Sequence, residues 1–124
     1  AVSGAEYARA SNLRAEFVGL MRLALSDVDM LACPAMAAPA QPVNPEALYD
    51  DEPAESNPKV LRFTAPFDMN GYPTVTVLAG FSDDGLPIAL QLVGHPLSEA
   101  LLCRAGHAFE QATDWHTRRP PAPS

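Results

Sequence analysis

Residues 63–99 read FTAPFDMNGYPTVTVLAGFSDDGLPIALQLVGHPLSE, a strand, a turn, a second strand and a helix start in succession. Residues 74–79 alternate β-branched and apolar side chains, and residues 88–93 are almost continuously apolar around one amide, Gln91. Both runs predict strands. Asp83-Asp84-Gly85 between them is turn chemistry, so the strands are expected as antiparallel neighbours joined by a compact loop longer than a two-residue hairpin. The second run has the composition of a strand covered on both faces. Ser98 then opens a helix whose buried face is Leu101, Leu102, Ala105, Ala108, Phe109 and Ala112, ending near Trp115.

Upstream, Ser3 and Glu6 have the spacing of a capping box, in which a hydroxyl and a carboxylate satisfy free backbone donors at a helix start. Tyr7, Ala10, Leu13, Phe17, Leu20, Met21 and Ala24 recur at steps of three and four, giving one apolar stripe on a helix that runs to about Leu25. Arg9, Arg14, Glu16 and Arg22 fall outside it. Residues 28–33 predict a short buried strand, stopped by Pro34, which cannot donate to a sheet ladder. Six prolines, at 34, 39, 42, 45, 53 and 58, surround the acidic cluster Asp50, Asp51, Glu52 and Glu55, and predict an irregular surface loop at about 34–62. Arg118, Arg119 and the closing prolines form a tail. No internal repeat is visible. The fold class is α/β, a mixed sheet with flanking helices. Two helices and a few strands are too few to cover a strand as apolar as residues 88–93.

At 124 residues and 48% hydrophobic content the chain builds at most one domain. A net charge of −7 with only eight Lys and Arg argues against nucleic acid and anionic membranes as partners, since both are bound through clustered cations. No apolar run approaches the roughly 20 residues that span a bilayer, and no basic-then-apolar leader opens the chain. The expectation is a soluble, cytoplasmic protein. The first residue is Ala1 and a helix follows almost at once, which predicts a reading frame extending upstream, with room there for a targeting signal.

Few residues offer chemistry by themselves. Lys59, the single lysine, neighbours Pro58 in the polar loop and reads as solvated, because a catalytic lysine needs burial to lower its pKa. Cys33 and Cys103 lie on elements expected to be buried and lack any ligand spacing, so they read as small hydrophobes. His95, His107 and His116 do not form a metal set and suit capping or surface roles. Gly71, Gly80, Gly85 and Gly94 fall at element boundaries, where positive φ or close backbone approach explains them without a phosphate. Gln91 in its apolar strand must find partners, and bracing of the sheet is the first reading, ahead of a substrate contact.

Several blocks occur in a telling order. The helix from Tyr7 to Arg14 is followed by Asp29-Met30-Leu31-Ala32-Cys33-Pro34-Ala35; then come Phe63-Thr64-Ala65-Pro66-Phe67 with Asn70-Gly71-Tyr72-Pro73, and Gly85-Leu86-Pro87 leading to Gln91-Leu92-Val93-Gly94. In this order they resemble the C-terminal end of the amidase signature family, whose members are serine amidohydrolases with a Ser-Ser-Lys triad. Asp68 departs from the family pattern, which usually carries Asn there; an ionised carboxylate accepts hydrogen bonds but donates none.

The resemblance implies a C-terminal fragment, residues 1–124, of a mixed-sheet amidase signature fold. The intact enzyme would cleave the C–N bond of a small-molecule amide through an acyl-serine, without metal or other cofactor. The family's Gly/Ser-rich nucleophile segment has no counterpart among these residues, so no catalytic residue is assigned and the partner expected is the missing N-terminal part of the same chain. By the same resemblance Phe63, Thr64, Phe67 and Met69 line or support the acyl pocket, with ordinary core packing as the competing reading. Two alternatives remain: the A subunit of a glutamine-dependent aminoacyl-tRNA amidotransferase, and a small non-catalytic interaction domain.

Overall fold

The computed structural model describes residues 2–40 and 61–120. Most of the proline-rich stretch, including the acidic cluster and Lys59, lies outside the described residues. Helix α1 spans Gly4–Ala24, strand β1 Met30–Pro34, helix α2 Ala65–Asn70, strand β2 Thr74–Phe81, strand β3 Pro87–Gly94 and helix α3 Glu99–Ala112. Short 3-10 turns at Leu61–Phe63 and Trp115–Thr117 precede α2 and follow α3. No helix among the described residues is long and apolar enough to cross a membrane.

The three strands form one antiparallel sheet in the order β1-β3-β2. The apolar strand is therefore the central one. The β2–β3 connection closes as the turn chemistry requires: Ser82 N–H donates to the Leu86 carbonyl at 2.8 Å, Ser82 Oγ accepts from Leu86 N–H at 3.1 Å, and Gly85 adopts φ 79°. Pairing passes from Leu78↔Ala89 to Gly80↔Ile88, so Ala79 is an extra residue that bulges β2.

Cover on β3 is graded. Ile88 is 43% exposed, whereas the four consecutive residues from Gln91 to Gly94 are buried, which alternating side chains achieve only when both faces are covered. On one face Val93, fully buried, packs with Leu25, Phe67 and Tyr72, with Met21, Leu31 and Cys33 at the margin. On the other, Leu92 is buried and α3 crosses the sheet; Gly106 lets that helix approach Val75 and Val77.

The capping box at Ser3 forms as expected. Glu6 N–H donates to Ser3 Oγ, and the Glu6 carboxylate accepts from the Ser3 backbone N–H at 2.8 Å and from its hydroxyl at 2.7 Å. Those two bonds, the backbone one foremost, hold the Glu6 carboxyl below the ordinary glutamate range.

Four expectations need correction. The stripe on α1 is only half covered: Met21 and the capping residue Leu25 reach the core, but Tyr7, Leu13 and Leu20 are exposed, because α2 is the element α1 chiefly packs against and it reaches one flank. Among the described residues strand β1 is an edge strand and largely half-exposed rather than buried, since β3 pairs it on one side and no described strand pairs it on the other. Ser98 occupies the N-cap of α3 but makes no side-chain cap; at φ −100°, ψ 21° it lacks the extended geometry, and its hydroxyl donates instead to the His95 carbonyl at 2.6 Å. Cys103 is exposed, because Leu102 and Gly106 define the buried line of α3 and turn residue 103, as well as Ala108 and Ala112, away from the sheet.

Candidate functional site

The segment before β2 is more ordered than its composition suggests. Pro66 in the first turn has no N–H to leave unpaired, and Gly71 at φ 72° ends the helix by donating to the Phe67 carbonyl at 2.9 Å. These two residues bound a helix of six, α2, which is too short to show an apolar period. The Thr64 carbonyl accepts from Phe67 N–H at 3.0 Å and Asp68 N–H at 3.2 Å, so Thr64 anchors the first turn through its backbone.

Gln91 ties this segment to the sheet. Its side chain is 4% exposed, and Nε2 donates to the Phe63 carbonyl at 2.7 Å, with Cys33 Sγ at 3.5 Å. The amide thus joins β1, β3 and the turn that leads into α2. Bracing is the role the geometry gives it, and its burial leaves no open surface for a substrate in this arrangement.

The four residues expected at a pocket do not share one surface. Phe63 and Thr64 are half-buried at the start of α2. Phe67 is 7% exposed and belongs to the core cluster with Val93 and Tyr72, whereas Met69 is 47% exposed. Two residues apart on a helix, their side chains point about 200° from each other. One open cavity of about 370 Å³ lies between residues 36–40 and residues 87–89, and another of about 390 Å³ lies between α1 and α2, lined by Ser11, Arg14, Ala15, Val18 and Asn70. None of the four residues lines either cavity.

The α1–α2 junction is polar. Arg14 Nε donates to the Met69 carbonyl at 2.6 Å, and Asn70 Oδ1 accepts from Tyr72 N–H at 2.8 Å. Asn70 Nδ2 there, and the hydroxyl of Tyr72 in the core cluster, are buried and have no partner among the described residues. Asp68 is exposed and its carboxylate has no hydrogen bond among them, so the departure at this position costs the described part nothing.

No described serine meets a base. Ser3 caps α1, Ser11 is exposed on α1 beside the α1–α2 cavity with no side-chain hydrogen bond among the described residues, Ser26 Oγ donates to the Leu23 carbonyl, Ser82 closes the β2–β3 turn, and Ser98 is bonded to the His95 carbonyl rather than to the ring. His95 itself fastens β3 to the loop before β1, its Nε2 donating to the Val28 carbonyl at 2.8 Å. His107 and His116 are exposed. Among the described residues no group of three His, Cys, Asp or Glu side chains is placed to hold a metal ion.

The Amidase family model matches residues 2–103. The chain is 34% identical over 120 residues to the putative amidase AmiD of Mycobacterium tuberculosis (strain ATCC 25618 / H37Rv), covering 97% of this chain and 25% of that protein. It is 38% identical over 121 residues to the A subunit of the glutamyl-tRNA(Gln) amidotransferase of Chloroflexus aggregans, covering 94% and 23% respectively. Among solved structures, 6-aminohexanoate cyclic dimer hydrolase superposes with a TM-score of 0.81 at 26% identity, over 96% of this chain and 26% of that one. The chain spans about a quarter of the length of the relatives it matches.

Proposed function

The chain belongs to the amidase family, and from that premise we infer that its residues form the closing part of a longer hydrolase that cleaves the C–N bond of a small-molecule amide. The observation that carries this reading is the family match over residues 2–103 at about a quarter of the relatives' length. In the reaction inferred, a serine hydroxyl adds to the amide carbonyl and loses its proton to a base; the C–N bond breaks as the amine takes a proton, leaving an acyl-serine ester. Water then attacks the ester, releases the acid and restores the serine. The nucleophile, its base and the oxyanion donors are assigned to the rest of the polypeptide.

One feature supports that division. Tyr7, Leu13 and Leu20 remain 73%, 57% and 59% exposed along the apolar stripe of α1. An exposed apolar stripe of this kind marks an interaction surface, so further protein covering α1 accounts for it. Phe63, Thr64 and Met69 are assigned to the wall of the acyl pocket, and Phe67 supports that wall from the core.

The test is hydrolysis of a short and a bulky acyl anilide by the complete polypeptide that carries these residues, with hydroxylamine added to intercept the acyl-serine. Turnover with hydroxamate formed in proportion to hydroxylamine is expected. Absence of turnover with either anilide removes the amidase reading. A second reading, the A subunit of an amidotransferase acting on aminoacyl-tRNA, draws on the 38% identity to the Chloroflexus protein; release of ammonia from glutamine only in the presence of partner subunits is its distinguishing result.

A further inference from the structure

Gln91 is the strongest unexplained choice in the chain. It is a buried amide in the middle of the central strand, where residues 88–90 and 92–93 are all apolar, and burying an amide is worthwhile only where its bonds do something an apolar side chain does not. Its Nε2 reaches the Phe63 carbonyl at 2.7 Å, a backbone acceptor belonging to a turn that no strand of the sheet holds. One residue later, Thr64 starts α2. We propose that Gln91 is a positioning residue for substrate selection: through the Phe63 carbonyl it fixes the peptide that presents Phe63 and Thr64 as the wall of the acyl site. The proposal rests on the amidase reading for its substrate and on the structure for its bond.

The physical argument is one of leverage. The 3-10 turn Leu61–Phe63 is closed by Thr64 N–H donating to the Leu61 carbonyl at 3.1 Å and is only three residues long, while β3 is paired on both sides. A donor on β3 therefore transfers the rigidity of the sheet to a segment that lacks its own. Loss of the bond releases the wall without removing any atom that touches a substrate. A bulky acyl group, which fills the wall, should lose more than a short one, and displacement by about an ångström is enough for a tenfold or larger effect.

The donor, not the shape, is the requirement. Gln91→Met keeps most of the length and no donor; Gln91→Glu keeps the outline, but an ionised carboxylate accepts only. Both variants of the complete polypeptide are compared with wild type by hydrogen exchange over residues 61–68 and by kcat/KM for a short and a bulky acyl anilide. Expected are faster exchange over residues 61–68, protection of β3 retained, and a fall in the bulky-to-short ratio of about tenfold in Gln91→Met, with the same in Gln91→Glu wherever its carboxyl is ionised and so donates nothing. Unchanged exchange over residues 61–68, or equal losses for the two anilides, overturns the proposal. If no anilide is hydrolysed even by wild type, the amidase reading has failed, and the exchange result alone decides whether Gln91 holds the turn. Should Gln91→Glu not fold, Gln91→Met carries the same two readouts.

Discussion

Gly94 tests whether the glycine that ends β3 is required by packing. A Cβ built there overlaps Ser98 Oγ outright and lies 3.1 and 3.2 Å from Leu102 Cγ and Cδ1. Neither neighbour yields freely. The Ser98 hydroxyl is bonded to the His95 carbonyl at 2.6 Å, and Leu102 is 2% exposed, with protein on every side. In Gly94→Ala the hydroxyl must rotate away, losing a bond worth about 1 kcal/mol. Leu102 must also leave its rotamer by some tens of degrees, at about 0.5–1.5 kcal/mol. Against roughly 2 kcal/mol of loss, alanine restricts the unfolded chain and recovers about 0.4–1 kcal/mol, so the net expected destabilisation is about 1–2 kcal/mol. Chemical denaturation of the complete polypeptide measures it, and the double-mutant cycle with Ser98→Ala apportions it. Ser98→Ala alone should cost about 1 kcal/mol, but close to nothing when Gly94→Ala has already displaced the hydroxyl, giving a coupling of about 1 kcal/mol. A Gly94→Ala protein as stable as wild type, or strict additivity of the two substitutions, refutes the packing argument.

Phe67→Ala should lower stability by about 3–5 kcal/mol because it opens the Leu25–Tyr72–Val93 cluster, whereas Met69→Ala, on the exposed side of α2, should stay within about 0.5 kcal/mol yet change the ratio of kcat/KM between bulky and short acyl anilides. Equal thermal losses for the two would show that burial on α2 has been misassigned. The Glu6 carboxyl titrates below its unfolded value, so the capping box contributes fully above the unfolded pKa and its contribution is lost as pH falls through the folded one; amide protection at residues 4–8, taken relative to the intrinsic exchange rate at each pH, should fall over that acid interval, and Glu6→Gln should remove the added pH dependence. The 124-residue chain expressed alone should be loosely packed or aggregate, given the exposed leucines of α1 and the edges of β1 and β2 that no described strand pairs, and a monomer with sharp cooperative unfolding and dispersed amide resonances is the contrary result.

Signals that act locally are legible in the sequence. Ser3 with Glu6 and the Asp83-Asp84-Gly85 turn each specify their own backbone, and each is found as read; the apolar run around Gln91 is a strand as read, but only residues 91–94 are buried and Ile88 is exposed. Helix α2 escapes because six residues carry no period; Pro66 and Gly71, a start and a stop five residues apart, are the available clue. Burial fails to follow from pattern wherever the covering partner is the unknown. The stripe on α1 is correct as a stripe, but only the Met21 and Leu25 end meets the core among the described residues. For the site, the family resemblance groups Phe63, Thr64, Phe67 and Met69, and the turn of a helix separates Phe67 from Met69. The acceptor of Gln91 is beyond reach, since Phe63 is 28 residues away and contributes only its carbonyl, which every residue possesses.

That these residues complete an amide-cleaving enzyme without containing its nucleophile is tested most directly by acyl-anilide hydrolysis, measured side by side for the complete polypeptide and for the 124-residue chain, each purified to constant specific activity. Turnover by the complete polypeptide and none by the shorter chain is the expected result. Turnover by the shorter chain that disappears when one of its own serines is replaced by alanine contradicts it.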